Sequence, residues 1–345
     1  MEVGARELPL TNPDRPYFPE VGINKRAFVG YYSAVAETML RTIADRPTTL
    51  ERWPTGVVPG VKLAQRDGTR GQAFYQKRVP KGAPSFVQTC RIAFPSGRTA
   101  DEICPTEPAV IVWAATQGTI TFHPWPVRRA NPEMPDELRL DFDPQPGTDF
   151  SDAVEMALAA KDIMDNWGWV SYPKTSGGRG VHVYIRIQPR WGFIHLRHAA
   201  IAIGRELERR FPEKATTAWW KEERGPRIFI DYNQNARDRT IAAAWSVRAR
   251  PNAPVSTPVT WDRLGEITPQ DFTVLSVPDY LAANGDPWAN INEESFDLGP
   301  ALELYATDEV DRGLGEMPYP PDYPKMPGEP KRVQPSRAAP GPPAP

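Results

Sequence analysis

Cysteine is almost missing from this 345-residue chain, which holds only Cys90 and Cys104, neither with a CxxC partner. That excludes a disulfide framework and a cysteine-ligated structural zinc, and makes a reducing, cytoplasmic compartment the default. Long apolar runs are missing too. None approaches the ~18 residues that a membrane-spanning helix needs, and mean hydropathy is -0.51, so no membrane partner is expected. No secretory leader is expected ahead of Leu8. Net charge is small, at -2 from 41 basic and 43 acidic side chains, so the total carries no electrostatic mark of a nucleic-acid protein.

The distribution of charge says more than its sum. Between residues 61 and 98, eight Lys and Arg face a single acid, Asp67, whereas residues 275–311 hold nine acids and no Lys or Arg. A polyanion would dock on the first stretch and avoid the second, although solvated surface of both signs would give the same counts. With 40% hydrophobic residues and 11 Trp the chain has ample material for a core. Residues 316–345 contain 11 prolines and almost no aliphatic side chains; this composition predicts a disordered tail.

Periodicity predicts an amphipathic helix over 24–45, with Phe28, Tyr31, Tyr32, Val35, Met39 and Ile43 on one stripe. Residues 48–108 read as loop with strand-like pieces such as 86–89 and one long loop over 57–71, and 110–122 as one or two strands. A strand is predicted over 138–143, a helix over 149–167, a hairpin pairing 169–172 with 180–187, a helix over 198–210, and strands over 227–232 and 240–247. The mixture points to an α+β fold with mixed or antiparallel sheets and flanking helices, not a doubly wound sheet.

Three constellations carry chemistry. On strand 138–143, alternation sends Leu138, Leu140 and Phe142 to one face and Arg139, Asp141 and Asp143 to the other, with the two acids ~6.6 Å apart at Cα. Adjacent carboxylates repel unless a hard divalent cation such as Mg²⁺ or Mn²⁺ lies between them; a solvated acid pair at a strand end is the alternative. The glycine-rich connection 176–180 leads into a strand whose polar face is His182, Tyr184 and Arg186. Its backbone N–H groups, with Ser176 and Arg179, can receive phosphate oxygens, or it is simply a turn. His195 and His198 read as surface residues at a helix start. Third, Asp231 ends an apolar strand, with Arg224 before it, Gln234 after it, and Arg248 closing a run of small residues.

Taken together, LDFDP at Leu140, SGGRGVHVY at Ser176 and RGPRIFIDYNQNARDRTIAAAWSVRARP from Arg224 resemble the primase-polymerase module of bacterial end-joining ligase D. They also resemble its stand-alone Prim-PolC-type relatives, within the archaeo-eukaryotic primase superfamily. The likeness runs from about Leu10 to Trp261, and the proline-rich tail, in place of a legible ligase or nuclease, favours the stand-alone type. The resemblance implies a primase-like catalytic core with an RRM-like half, filling residues 1–315, with a DNA-binding half to about residue 135 and a catalytic half after it. Asp141, Asp143 and Asp231 are then expected to bind two divalent metals, Mn²⁺ or Mg²⁺. Ser176, Arg179, His182, Arg224, Gln234 and Arg248 are expected to hold the incoming nucleoside triphosphate. Arg15 and Lys25 match a basic pair for the 5′-phosphate of gapped DNA; Phe74 and Tyr75 match an aromatic pair that stacks on bases; Lys77 and His123 complete the DNA-facing set.

Departures from the family pattern are Arg179 for a lysine, Tyr75 for the second Phe, a longer loop over 57–71, and Glu51 at a commonly basic position, where a phosphate contact is expected to be lost or replaced. The implied function is template-directed nucleotidyl transfer, extending primers and filling short gaps in repair by non-homologous end joining. Ribonucleotides would be preferred and de novo priming is possible. Gapped or primed DNA and NTP or dNTP would be the ligands, a DNA ligase and a Ku-type end-binding protein the partners, and the nucleoid the site of action. A two-metal nuclease or phosphoesterase, or an idle DNA-end binding module, would use some of the same residues.

Overall fold

The structure, a computed structural model, describes residues 1–64, 71–94 and 97–318. Two short hairpins open the chain, β1 (Glu2–Val3) with β2 (Arg6–Glu7) and β3 (Pro16–Phe18) with β4 (Ile23–Asn24). Asn24 caps α1 (Lys25–Ile43) by accepting a hydrogen bond from the Ala27 N–H at 2.9 Å, which satisfies one orphan donor of the first turn. The stripe Phe28, Tyr31, Tyr32, Val35, Met39 and Ile43 is buried as its spacing requires.

The first sheet contains β5 (Thr48–Arg52), β6 (Phe74–Gln76), β7 (Gln88–Ala93) and β8 (Thr99–Cys104). It is completed, after α2 (Pro108–Thr116), by β9 (Thr119–Pro124), which lies antiparallel to β5. Helix α2 replaces strand over the first part of the expected 110–122, while β9 forms over its last part. Every residue from Ala109 to Thr116 is buried, so the segment is apolar on all sides, and periodicity cannot separate such a helix from buried strand. Pro108 in its first turn is the signal that marks the helix start.

The second sheet opens with β10 (Glu137–Pro144), followed by α3 (Phe150–Asn166), which Asp149 and Asp152 start with a reciprocal capping box. Then come β11 (Tyr172–Thr175), β12 (Val181–Arg186), α4 (Phe193–Arg210), β13 (Ala215–Thr216) and β14 (Ile228–Ile230). Strand order is β11-β12-β10-β14-β13, antiparallel except for β13 with β14. Helices α3 and α4 cover its apolar face, where Leu138, Leu140, Phe142, Val181, Val183 and Ile185 are buried in a core continuous with that of the first half. The expected strand over 240–247 survives only as β15 (Ser246–Val247), paired with β16 (Val255–Ser256). Trp245 takes a left-handed φ of 65°, which breaks the alternation. Helices α5 (Val277–Asn284) and α6 (Gly299–Arg312) follow, α6 lying on α4.

Three boundaries differ from those read in the sequence, the first being the hairpin strand expected over 169–172, which runs as β11 over Tyr172–Thr175. Helix α4 begins at Phe193, so His195 and His198 lie in its first two turns, and His198 stacks on Tyr305 at 4.0 Å and pairs with Glu316. Residues 316–318 are packed, because Arg197 donates to Glu316 Oε1 at 2.9 Å and to the Pro318 carbonyl at 2.6 Å. The rest of the expected tail, and residues 65–70 of the expected loop, lie outside the described residues.

Glu102 on β8 is a carboxylate fully inside the first half. Its Oε2 accepts from Thr49 Oγ1 at 3.1 Å and Trp125 Nε1 at 3.2 Å, while Oε1 has no partner among the described residues. Burial outweighs the Lys77 charge and these hydrogen bonds and lifts its pKa to about 7. An acid held above its ordinary value keeps a proton in the folded state that the unfolded chain has already released, so stability falls as pH rises from about 4.5 to about 7. Glu102→Gln is expected to add about 2 kcal/mol at pH 8 and to flatten that slope. Urea midpoints at pH 5 and pH 8 measure both, and a slope shared with the parent protein would contradict the assignment.

Candidate active site

Register builds the site. Antiparallel pairing sets Asp141 of β10 opposite His182 of β12, and because Leu140, Phe142, Val181 and Val183 point into the core, Asp141 and His182 share the polar face. His182 Nε2 lies 3.3 Å from Asp141 Oδ1. Asp143 follows on the same face, its Oδ2 accepting from Gln145 Nε2 at 3.2 Å. On the other side of β10, the Asp231 N–H donates to the Asp141 carbonyl at 2.9 Å, bringing the third acid to the end of β14. Asp231 in turn accepts from the Asn233 N–H at 3.0 Å and from Gln234 Nε2 at 2.8 Å.

These three carboxylates line one cleft of about 370 Å³ together with Ser176, Arg179, His182, Gln234, Arg248 and His123. Ser176 organises the glycine loop: its Oγ accepts from the Gly178 and Gly180 N–H groups, both at 3.1 Å. Those two donors, expected to face an anion, are thereby turned inward. Gly177 has a φ of 68°, and a Cβ there would sit 2.5 Å from Arg248 Cγ, so only glycine lets the loop close over that arginine. Arg248 donates to the Ser176 carbonyl at 2.7 Å and Arg179 to the Pro144 carbonyl at 3.3 Å. Arg224 does not line the cleft. It stacks 3.4 Å over the Phe229 ring and donates to the Ala218 and Trp219 carbonyls at 3.1 and 3.2 Å, which leaves it acting on Asp231 and Asp143 through its field.

A second cleft of about 630 Å³ shares His123, Gln234 and Thr240 with the first and is lined by Phe74, Tyr75, Lys77 and Trp125. Tyr75 is 50% exposed and meets His123 edge to face at 5.5 Å. Phe74 carries the Arg52 guanidinium over its ring at 5.5 Å, and Lys77 lies 3.9 Å from Asp238. Arg15 and Lys25 sit together away from both clefts, at the start of α1. The Lys25 N–H donates to the Arg15 carbonyl at 2.8 Å, and Lys25 Nζ donates to the Thr11 carbonyl at 3.1 Å.

Glu51 stands at the position where a phosphate contact is expected to be lost or replaced. Its side chain is buried, not presented to a phosphate: Oε2 lies 3.3 Å from His123 Nε2 and Oε1 accepts from Trp53 Nε1 at 2.9 Å. Burial would raise its pKa, but His123, Trp53 and Arg248 outweigh that and hold it below the ordinary value.

A family model of the LigD primase-polymerase domain matches residues 24–288. The chain belongs to the LigD primase-polymerase family. It is thereby a nucleotidyltransferase of the primase-polymerase class. It is similar to the multifunctional non-homologous end joining protein LigD of Pseudomonas aeruginosa, 31% identical over 285 residues that make up 81% of this chain and 32% of that protein. The bifunctional LigD of Bacillus subtilis is 29% identical, over 82% of this chain and 44% of that one. The chain therefore spans less than half the length of these relatives. Among solved structures, the polymerase domain of Mycobacterium tuberculosis ligase D in complex with DNA is 28% identical, with a TM-score of 0.75 over 84% of this chain and 99% of that one. No helix among the described residues is long and apolar enough to cross a membrane.

In this primase-polymerase the donor set suits a hard cation. Among the described residues no group of three His, Cys, Asp or Glu is drawn tightly enough to hold an ion as it stands, so the fit rests on charge. Burial, then the charge of Asp141, raises Asp143 and Asp231, and burial raises Asp141 against the pull of Lys174 and Arg248. A divalent cation removes that penalty. Sequence reading missed Lys174, fully buried and opposite His182, because the hairpin was registered too early in the chain; alternation along Tyr172–Thr175 would have shown it. It also missed Arg250 on the cleft wall, whereas Thr240 and Ala242, from the run of small residues that Arg248 closes, do line the cleft. Burial, with Lys174, Arg248 and Arg139 as neighbours, holds His182 well below its ordinary pKa, so it is neutral at pH 7.

Asp141→Asn removes one of the repelling acids and is expected to raise the melting temperature in EDTA by a few degrees while abolishing any stabilisation by added Mn²⁺. Differential scanning calorimetry with and without the ion tests this; an undiminished Mn²⁺ response would remove Asp141 from the ligand set.

Proposed function

We propose that the chain extends primers and fills short gaps in DNA during end-joining repair, preferring ribonucleotides and able to prime de novo. The observation that carries this reading is the convergence of Asp141, Asp143 and Asp231 in one cleft with Ser176, Arg179, His182 and Arg248. Metal dependence is general in this family, and Asp141, Asp143 and Asp231 would hold two Mn²⁺ or Mg²⁺ ions. When bound, such ions neutralise the triphosphate and lower the pKa of a primer 3′-hydroxyl.

The chain's own residues bind and orient. Arg179 and Arg248 give the triphosphate fixed positive charge, and His182 donates to it from the floor of the cleft. Gln234, already fixed on Asp231, steers that carboxylate. Arg224 contributes charge from behind Phe229 rather than a direct contact. The adjoining cleft suits the template: Tyr75 and Phe74 offer faces for base stacking, which tolerates any sequence, and His123, clamped by Glu51, stands between stacked base and nucleotide. Arg15 and Lys25 line neither cleft and would take a separate anion, the 5′-phosphate at the far side of a gap. Burial and the Arg15 charge lower the Lys25 pKa, a strain that an anion between the two cations relieves. A DNA ligase would then seal the product, with a Ku-type protein holding the ends.

The deciding assay offers a gapped, 5′-phosphorylated duplex with NTP or dNTP in Mn²⁺ or Mg²⁺. Template-directed addition, faster with NTP, is expected; cleavage without addition would replace the polymerase reading by a nuclease one. Asp143→Ala is expected to abolish addition while gapped-DNA affinity stays within a few-fold. Lys25→Ala is expected to reduce the preference for a 5′-phosphorylated gap about tenfold, the loss of one charge-assisted contact, and equal use of both gaps by the parent protein would dismiss that pocket.

A further inference from the structure

Lys174 belongs to none of the motifs, yet it stands in line with the acids. Register pairs Lys174 with His182 across β11 and β12, and His182 with Asp141 across β12 and β10, so the three side chains form one row on the polar face. Lys174 Nζ lies 2.7 Å from His182 Nδ1 and 2.5 Å from Ser256 Oγ, and 5.5 Å from the centre of the Tyr184 ring. Ser256 Oγ gives its only proton to the Thr175 carbonyl, at 2.8 Å, so toward Lys174 it can only accept. Burial and Arg248 push the Lys174 pKa well down, but its N–H groups donate in either charge state, and the Asp141 carboxylate facing Nε2 accepts only, so the ring nitrogen facing Lys174 is the one without hydrogen. Nε2 then carries the proton, 3.3 Å from Asp141 Oδ1 and on the wall of the cleft.

We propose that Lys174 is a positioning residue that locks His182 in its Nε2–H tautomer, making the neutral ring a fixed hydrogen-bond donor to Asp141 and to a phosphate oxygen of the incoming nucleotide. The nucleotide half of this statement rests on the polymerase reading; the tautomer half does not. A lone buried imidazole with both nitrogens unconstrained would divide itself between tautomers, and only one of them presents a donor to the cleft. The second anchor at Ser256, on the separate β15–β16 hairpin, fixes the Lys174 nitrogen so that the ring cannot turn it aside.

The test uses the full chain with ¹⁵N-labelled histidine and long-range ¹H–¹⁵N correlation spectra at pH 8, with His182 assigned by the signal lost in His182→Gln. The parent protein is expected to show His182 protonated at Nε2 and bare at Nδ1; the opposite pattern overturns the proposal without any variant having to fold. Lys174→Met, close in length and without N–H groups, is expected to give averaged tautomer signals. It should also raise the nucleotide KM about tenfold with a smaller change in kcat, and Lys174→Arg should restore the Nε2–H pattern. An unaltered spectrum and KM in Lys174→Met would reject the role. Should the parent protein add no nucleotide, the polymerase reading fails while the spectrum still decides the tautomer.

Discussion

Like charges held side by side on the polar face of the second sheet are the constraint around which the rest of the molecule is arranged. Asp141 and Asp143 cannot turn away from each other, because the same strand commits Leu138, Leu140 and Phe142 to a core shared with α3 and α4, and rotation of β10 would expose all three. Asp231 is tied to that strand through its backbone N–H. The repulsion is instead met by cations that come from elsewhere: Lys174 from β11, Arg248 from the end of β15, and Arg224 through the Phe229 ring. A folded chain that maintains unfavourable acids at this cost is arranged for a cation, which turns each repulsion into an attraction.

The same face continues away from the cleft as a row of buried ion pairs. Glu137 and Arg186 face each other, as do Arg139 and Tyr184. Arg46, just past α1, reaches both Asp136, at 2.5 Å, and Glu137, at 3.4 Å. Buried pairs of this kind add little net stability because desolvation offsets the attraction, but a mispaired one is costly. A one-residue slip of β12 against β10 would strand Arg186 and Glu137 as well as separate His182 from Asp141. The row therefore fixes the register on which the site's geometry depends, and through Arg46 it ties the helix of the first half to the sheet of the second.

Where alternation or capping was strong, the sequence was legible: strand β10, the start of α3 at Asp149 and the stripe on α1 need only period and turn chemistry. The failures have specific physical causes. Helix α2 is buried all round, so it has no polar face to reveal its period. The run from Thr240 to Val247 mimics an alternating strand, but Trp245 at positive φ turns it into irregular wall for the cleft. What Glu51 does in place of a basic side chain was not legible, since its partner His123 is 72 positions away in sequence and no local rule connects them. Ser256 and Lys174 meet for the same reason, through a pairing that only the tertiary fold makes.

Charge counted along the chain shows this limit most sharply. Residues 275–311 read as an acidic field that would repel DNA, yet Asp286 pairs with Arg41 on α1, Asp297 with Arg190, and Asp308 with Arg205 and Arg312. Those acids stitch α5 and α6 onto α1 and α4, so their charge is spent internally. In the basic stretch the balance differs: Arg91 is matched by Asp101 across β7 and β8, whereas Lys62 and Lys81 are exposed on loops. Lys77 is paired as well, with Asp238, so ion pairing draws on both stretches. Charge counted along the chain is therefore no measure of the field that a polyanion meets, because the partners that neutralise it come from segments remote in sequence.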